Sequence, residues 1–308
     1  MSLTLHALPR VVGALALLAM GLPGIAGLEQ APASQRMPAV RRIDIKLAAA
    51  DELNPLIAYR SALIRLAMQA SGKPYTLTHC EVPMTSTSDL RYVELIKAGE
   101  VCNVFVTSAG SRLTEGLTLI PFPIYLGGGG YRVLLANPRG MKNAGSITRI
   151  EQLKNHPIGS GLDWVDTDIL QTNGFEVVKG SYLNLFEMLK VGRFDYLNRS
   201  IFEATSELGR YGTEQQLGLV QDMLLIYPED LFFYTTPGRD DIRASLLDGL
   251  QKIYRSGALA TLIETHESTR NAKQYLRSHN LRIFRIKNPR LPAAERKAIE
   301  TYTLKWLK

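Results

Sequence analysis

Arg112 is the residue of this chain best suited to grip a small anion. Its guanidinium presents a planar fork of donors that matches a carboxylate in a bidentate pair. Thr107 and Ser108, just before it, offer hydroxyls and backbone amides to the same group. A second cluster, Ser160-Gly161-Leu162-Asp163-Trp164, leads from a strand-like run into a helical one. The free amides of a helix start form a ready anion site. Within it, Asp163 either faces the ligand or simply caps the helix, and Trp164 either stacks on a ligand or packs beneath it. Arg199, at the end of a later strand-like run, is a further candidate for contact with a ligand. Its alternative is an ion pair with Glu203, one turn on along the following helix. Arg112 has the plain alternative of a solvated surface charge.

Catalysis calls for a nucleophile–base pair or a metal cluster. The histidines are His6, His79, His156, His266 and His279, and none stands in an H-x-x-x-H or H-E-x-x-H spacing. No G-x-S-x-G is present. No catalytic residue, metal or cofactor is therefore expected; Glu203 and Asp163 are the carboxylates to try if the chain were an exported lyase or transferase. The run Gly127-Gly128-Gly129-Gly130 would cradle a phosphate if a helix followed it. A strand-like run follows instead, so the glycines read as a hinge-proximal loop or a place of close backbone approach.

The elements that carry these residues follow from periodicity. Ile43 to Ala48 alternates as a strand. Asn54 and Pro55 open a helix whose Leu56, Tyr59, Leu63, Leu66 and Ala70 recur at helical spacing, with Gly72 as its stop; Tyr59 reads as core-facing. Tyr75 to Cys80 is a strand, Ser88 to Ala98 a helix, and Val101 to Val106 a strand. This βαβαβ order predicts a parallel sheet with right-handed crossovers. A second unit repeats it: strands at 157–160, 175–178 and 194–198, helices at 164–173, 183–191 and 201–210. Tyr131 to Ala136 links the two units, Leu217 to Ile226 is extended, and Asp240 to His266 is helical. In such sheets ligands bind beyond the carboxyl ends of the strands, which points to 49–54, 107–112, 160–164 and 198–200.

Four segments together resemble the polar amino-acid family of periplasmic solute-binding proteins. They are Gly99 to Ser108 followed by Arg112; Pro121-Phe122-Pro123-Ile124-Tyr125 followed by Tyr131 to Leu134, like the family's F-x-x-P-Y and hinge strand; Gly192-Arg193-Phe194-Asp195, like its G-x-x-D; and Ser256-Gly257-Ala258-Leu259, like its late helix–turn–helix. The resemblance spans roughly residues 42–285. It implies an α/β, two-lobed type 2 periplasmic-binding fold, each lobe a mostly parallel sheet flanked by helices, joined by two hinge strands near 131–136 and 225–234. Lobe one is then 41–132 plus 230–308, and lobe two 133–229. It also implies an exported protein that closes on a small polar or anionic solute for an ABC transporter or a sensor receptor, acting as a monomer. The alternatives are a ligand-free sensory or partner-binding domain, or an exported enzyme on the same fold. Two departures stand out. Ser200, preceded by Arg199, occupies the place where the family has an ammonium-binding Asp, and Ala109-Gly110-Ser111-Arg112 replaces its Thr-Pro-Glu-Arg.

The bulk composition fits. A chain of 308 residues suffices for two lobes, and 45% hydrophobic with 21% charged residues is the composition of a packed globular protein. The net charge of +7 is scattered, without the basic, aromatic-laced stripe that nucleic acid wants, so no nucleic-acid partner is expected. Arg10 and the apolar run Val11 to Leu22, followed by Gly24 and Ala26, read as a signal peptide over 1–26, cleaved near Ala26, with an N-terminal anchor helix as the alternative. Residues 27–40 read as a linker. The cysteines are Cys80 and Cys102. With Cys80 at the end of one parallel strand and Cys102 near the start of another, the thiols would lie at opposite edges of the sheet, beyond the roughly 7 Å between Cα atoms that a bridge tolerates. Two free, buried thiols are expected.

Overall fold

The computed structural model describes residues 42–49, 55–81, 89–99, 101–278 and 280–304. The expected signal peptide, linker and cleavage site, and most of the 49–54 segment, lie outside them. The chain runs through β1 (Ile43–Ala49), α1 (Pro55–Ser71), β2 (Tyr75–Glu81), α2 (Asp89–Ala98), β3 (Val104–Ser108) and β4 (Thr118–Pro123). It continues through β5 (Tyr131–Ala136), α3 (Pro138–Ala144), α4 (Ile150–Lys154), β6 (Ile158–Gly161), α5 (Val165–Thr172), β7 (Val177–Gly180), α6 (Tyr182–Lys190), β8 (Tyr196–Ser200), α7 (Ala204–Gln215), β9 (Gly218–Leu219) and β10 (Met223–Ile226). The last part is β11 (Leu231–Thr235), α8 (Asp240–Arg255), α9 (Ala258–Thr265), α10 (Arg270–Ser278), β12 (Arg282–Arg285) and α11 (Ala293–Thr301).

These strands form two sheets. The first has the order β2-β1-β3-β11-β4, and the second β12-β10-β5-β8-β6-β7 with β9 beside β5. Strands β1, β2 and β3 are mutually parallel, as are β6, β7 and β8. One strand in each sheet is reversed: β11 runs against β3 and β4, and β5 runs against β8 and β10. Each reversed strand is the first one laid down after the chain changes sheet. The crossings are residues 124–130 on the way out and 227–230 on the way back. One boundary differs from the sequence reading. β12 pairs with β10 in the second sheet, so residues 230–308 do not all belong to the first. The segment after β12 returns through Asn288, whose side-chain amide donates to Pro228 O at 2.9 Å, making a third strand of chain at the junction.

Apolar periodicity explains the packing. On α1, Tyr59, Leu63, Ile64, Ala67 and Met68 are fully buried; on α8, Ile242, Leu246, Leu250 and Ile253 recur on one stripe and are buried too. Each large apolar side chain so buried contributes about 1.5–3 kcal/mol relative to exposure. Tyr59 sits in the core as expected, satisfied by donating its hydroxyl to Ile124 O at 2.7 Å and stacked on Tyr125 at 5.1 Å between ring centroids.

The cysteines correct the sequence reading. Cys80 and Cys102 form a disulfide, with Cα atoms 5.7 Å apart. Two assumptions fail together. β3 begins at Val104, so Cys102 lies on the approach to the strand and not within it. β3 is also offset along the sheet, since Leu47 is level with both His79 near the end of β2 and Val104 at the start of β3. The approach to β3 is thereby brought to the end of β2, where Cys80 is level with Ala48. The bridge is buried with Ala48 and Ile96. Closing a loop with a sequence separation of 22 stabilises the fold by about 3 kcal/mol in the chain-entropy model. Thiol titration of the unfolded, non-reduced protein is expected to find no free thiol. The double variant Cys80→Ser/Cys102→Ser is expected to lose about 3 kcal/mol in urea unfolding; two titratable thiols would refute the bridge.

Candidate functional site

A cleft of about 270 Å³ lies between the two sheets, at the carboxyl ends of β3, β6 and β8, where open α/β sheets place their ligands. The first sheet's side supplies Val106, Thr107 and Ser108 from β3, Ser111 and Leu113 from the turn after it, and Arg60 from α1. The second supplies Arg132 from β5, Asp163 to Asp166 from the start of α5, and Arg199, Ser200 and Glu203 from β8 and the entry to α7. The crossings supply Tyr125, Gly129 and Glu229, and Leu231 of β11 completes the lining.

Of the residues singled out in the sequence, Thr107, Ser108, Asp163, Trp164 and Arg199 line this cleft. Asp163 is exposed, and α5 starts after Trp164 without a side-chain cap, so capping is not its role. Ser160 is fully buried and accepts a 2.7 Å bond from the Thr167 hydroxyl, so it braces α5 from beneath. Gly161 is a platform: a Cβ there would meet the Trp164 ring at 2.3 Å. Arg112 lies outside the cleft. Ser111 caps the short turn Arg112–Thr114, accepting from the Leu113 amide at 3.2 Å, and Arg112 is exposed beyond it. There it lines a second, smaller cavity with Asp168 and Arg290, which pair with each other.

Arg199 is committed to its own chain. Its Nε donates to Glu207 Oε2 at 2.7 Å, and its Nη2 to Glu207 Oε1 at 2.6 Å and Glu203 Oε2 at 2.8 Å. The guanidinium lies 4.4 Å from the Trp164 ring centroid, so Trp164 packs against a protein cation. Of the two readings of Arg199, the ion pair with Glu203 is the one that forms. Arg132 is similarly shared: one nitrogen, Nη2, lies 2.7 Å from Glu229 Oε2 and 2.9 Å from Asp166 Oδ1. Asp166 Oδ1 also accepts from the Tyr227 hydroxyl, which in turn accepts from Asn198 Nδ2 at 2.9 Å.

The glycine run is a cradle for a carboxylate of the chain itself. The amides of Tyr125, Gly127 and Gly129 donate to Asp230 at 3.0, 2.7 and 3.4 Å. The outward crossing is thus tied to the returning one. A Cβ on Gly130 would fall 1.8 Å from Tyr227 O, so close backbone approach explains that residue.

Searched against family models and against curated protein sequences, the chain matches none. Solved structures do match. The Bordetella pertussis BvgS periplasmic VFT2 domain is 14% identical with a TM-score of 0.53, the match covering 73% of this chain and 93% of that one. The amino acid ABC transporter substrate-binding protein AbpA from Streptococcus pneumoniae, bound to L-arginine, is 13% identical with a TM-score of 0.51, covering 74% and 95%. This chain has the two-lobed periplasmic-binding fold. The two crossings are then the hinge of that fold, and the cleft lies where its lobes meet.

Within this periplasmic-binding fold the sequence reading missed Arg60, Tyr125, Arg132, Asp166 and Glu229. One signal was available: Glu229-Asp230 is a pair of adjacent carboxylates inside the otherwise apolar stretch from Met223 to Tyr234. Both are fully buried. Burial pushes Glu229 up to about 7, against the pull of Arg132 and with Asp166 adding to the rise. Burial and the neighbouring Glu229 push Asp230 up to about 8, against the amide donors of Tyr125, Gly129 and Gly127. Both values stand above those of an unfolded chain, so the folded state holds protons that the unfolded state releases between about pH 4 and 8. Stability from these groups is fully present at low pH and is lost as pH rises through 7 and 8. The melting temperature is therefore expected to fall between pH 5 and 8.5, and Glu229→Gln to flatten that slope. A slope unchanged in the variant would show that Glu229 titrates normally.

Proposed function

We propose that this chain is an exported solute-binding protein whose two lobes close on a small polar solute, serving an ABC transporter or a sensor. The observation that carries the reading is the cleft itself: charged and hydroxyl side chains from both sheets and from both hinge crossings converge on one cavity at the strand ends. At about 270 Å³ it sits at the small end of ligand pockets, in proportion to a solute of amino-acid size. Thr107 and Ser108 from one lobe, with Asp163 and Trp164 from the other, are the contacts we assign to the solute. Arg112 is outside the cleft, and Arg199 is held by Glu203 and Glu207, so neither is a free grip for an anion.

Export is supported by the apolar N-terminal run and by the buried Cys80–Cys102 bridge, since disulfides persist in oxidising compartments. The similar structures include an ABC transporter's substrate-binding protein and the periplasmic VFT2 domain of BvgS, and the reading leaves both roles in view. A second reading, a partner-binding domain that has lost its solute, is favoured by one feature: both buried guanidiniums of the cleft are already satisfied from within.

A thermal-shift screen against amino acids, dicarboxylates, amines and small anions separates the two. A solute-binding protein gains RT ln(1 + [L]/Kd), about 2.7 kcal/mol at 100 times Kd, and closure reduces the radius of gyration in X-ray scattering. A melting temperature indifferent to every solute would favour the partner-binding domain.

A further inference from the structure

This inference rests on the solute-binding reading and names the class of solute. The charges that line the cleft do not balance. Asp163, Asp166, Glu203 and Glu229 stand against Arg60, Arg132 and Arg199. A further carboxylate outside the lining, Glu207, takes two donors of Arg199. Each of the two buried guanidiniums therefore serves two carboxylates: Arg132 serves Glu229 and Asp166, and Arg199 serves Glu203 and Glu207. Above about pH 7, where Glu229 is ionised, each trio is one negative charge in excess. A buried charge without compensation is strongly unfavourable.

An independent observation locates where the excess is open. Glu229 is fully buried and lines the cleft, and its Oε1 has no hydrogen-bond partner among the described residues. Glu229 Oε2 is taken by Arg132, and the other group close to the carboxylate is the neutral Ser108 hydroxyl, so one lobe has a charged partner and the other has none. A buried acceptor without a charged partner, beside surplus negative charge, calls for a donor that carries positive charge. An anion would meet the opposite situation, with Arg199 occupied and the excess made worse. Arg60, which pairs with no carboxylate among the described residues, can receive an acidic group that the solute carries in addition. The position where the family resemblance puts an ammonium partner is Ser200, which brings no charge.

We propose that the solute is a small organic cation, its ammonium or guanidinium group seated on Glu229 with Asp166 and Glu203 beside it. The anionic solute anticipated from Arg112 and Arg199 is thereby replaced by the opposite charge class.

The test is calorimetric titration and thermal shift of the purified protein at pH 8 with putrescine, L-lysine and L-arginine as cationic probes and succinate and L-glutamate as anionic ones. At least one cationic probe is expected to bind saturably, and the anionic probes to leave the melting temperature unchanged. Glu229→Gln, which keeps the shape and the acceptor for Arg132, is expected to weaken the cation about 30-fold or more, as for loss of a desolvated charge pair. Circular dichroism of the unliganded variant confirms its fold; should it not fold, Glu203→Gln, which is only partly buried, carries the same test. Binding of succinate or glutamate in preference to the cations, or cation binding unaltered by the variants, overturns the proposal. If no probe of either charge binds, the solute-binding reading itself fails and takes this proposal with it.

Discussion

One nitrogen atom ties the second sheet to the crossing that leads out of it. Nη2 of Arg132, on the first strand of the second sheet, sits 2.7 Å from Glu229 in the returning hinge crossing and 2.9 Å from Asp166 at the start of α5. These groups are all but buried, and in such surroundings the attraction between ions is far stronger than in water while the penalty for leaving one unpaired is severe. The guanidinium therefore fixes three elements at once: β5, the hinge and α5. Removing it would leave two carboxylates facing each other without a counter-charge. The polar chain behind it, through Tyr227 and Asn198, extends the same constraint to β8.

The rest of the hinge is arranged around the residue next door. Asp230 gathers the amides of the outward crossing, which is why that crossing is rich in glycine: the backbone must come within touching distance of the returning strand, and a side chain at Gly130 would strike Tyr227 O. Glu229 and Asp230 are adjacent, yet they face different tasks, one turned to the cation of β5 and the cleft, the other to the loop. Burial raises the proton affinity of both, and Glu229 raises that of Asp230 further, so this crossing is sensitive to pH.

Much of the architecture was legible because it rests on local pattern. The strand–helix alternation of residues 43–108 and 157–200 follows from apolar periodicity and glycine stops, and the two-sheet arrangement follows from that alternation together with the family resemblance. What periodicity does not convey is offset between strands. A three-residue error in the start of β3 and the stagger of β3 along β1 were enough to turn a disulfide into two separated thiols. The site was half legible for a similar reason. The rule that ligands gather at strand ends led to Thr107, Ser108, Asp163 and Trp164. It led equally to Arg112, which a short capped turn carries away from the cleft. Arg132 and Glu229 sit within or beside apolar runs about 100 residues apart in sequence, and only the folded chain brings them together. Arg199 was open to two readings, and the entry to α7, which brings Glu203 and Glu207 back onto the end of β8, decides for the internal pair.

The claim on which the hinge and the cleft both depend is that Arg132 and Glu229 act as a unit. A double-mutant cycle on unfolding free energy, with Arg132→Met, Glu229→Gln and the two combined, measures that directly. As a unit, Arg132→Met alone destabilises by about 3–5 kcal/mol through the buried charge it strands. The double variant is then more stable than the sum of the single effects requires, by about 1.5 kcal/mol or more. Single effects that add to within about 0.5 kcal/mol would mean that the two residues do not speak to each other, and that something else holds the lobes in place.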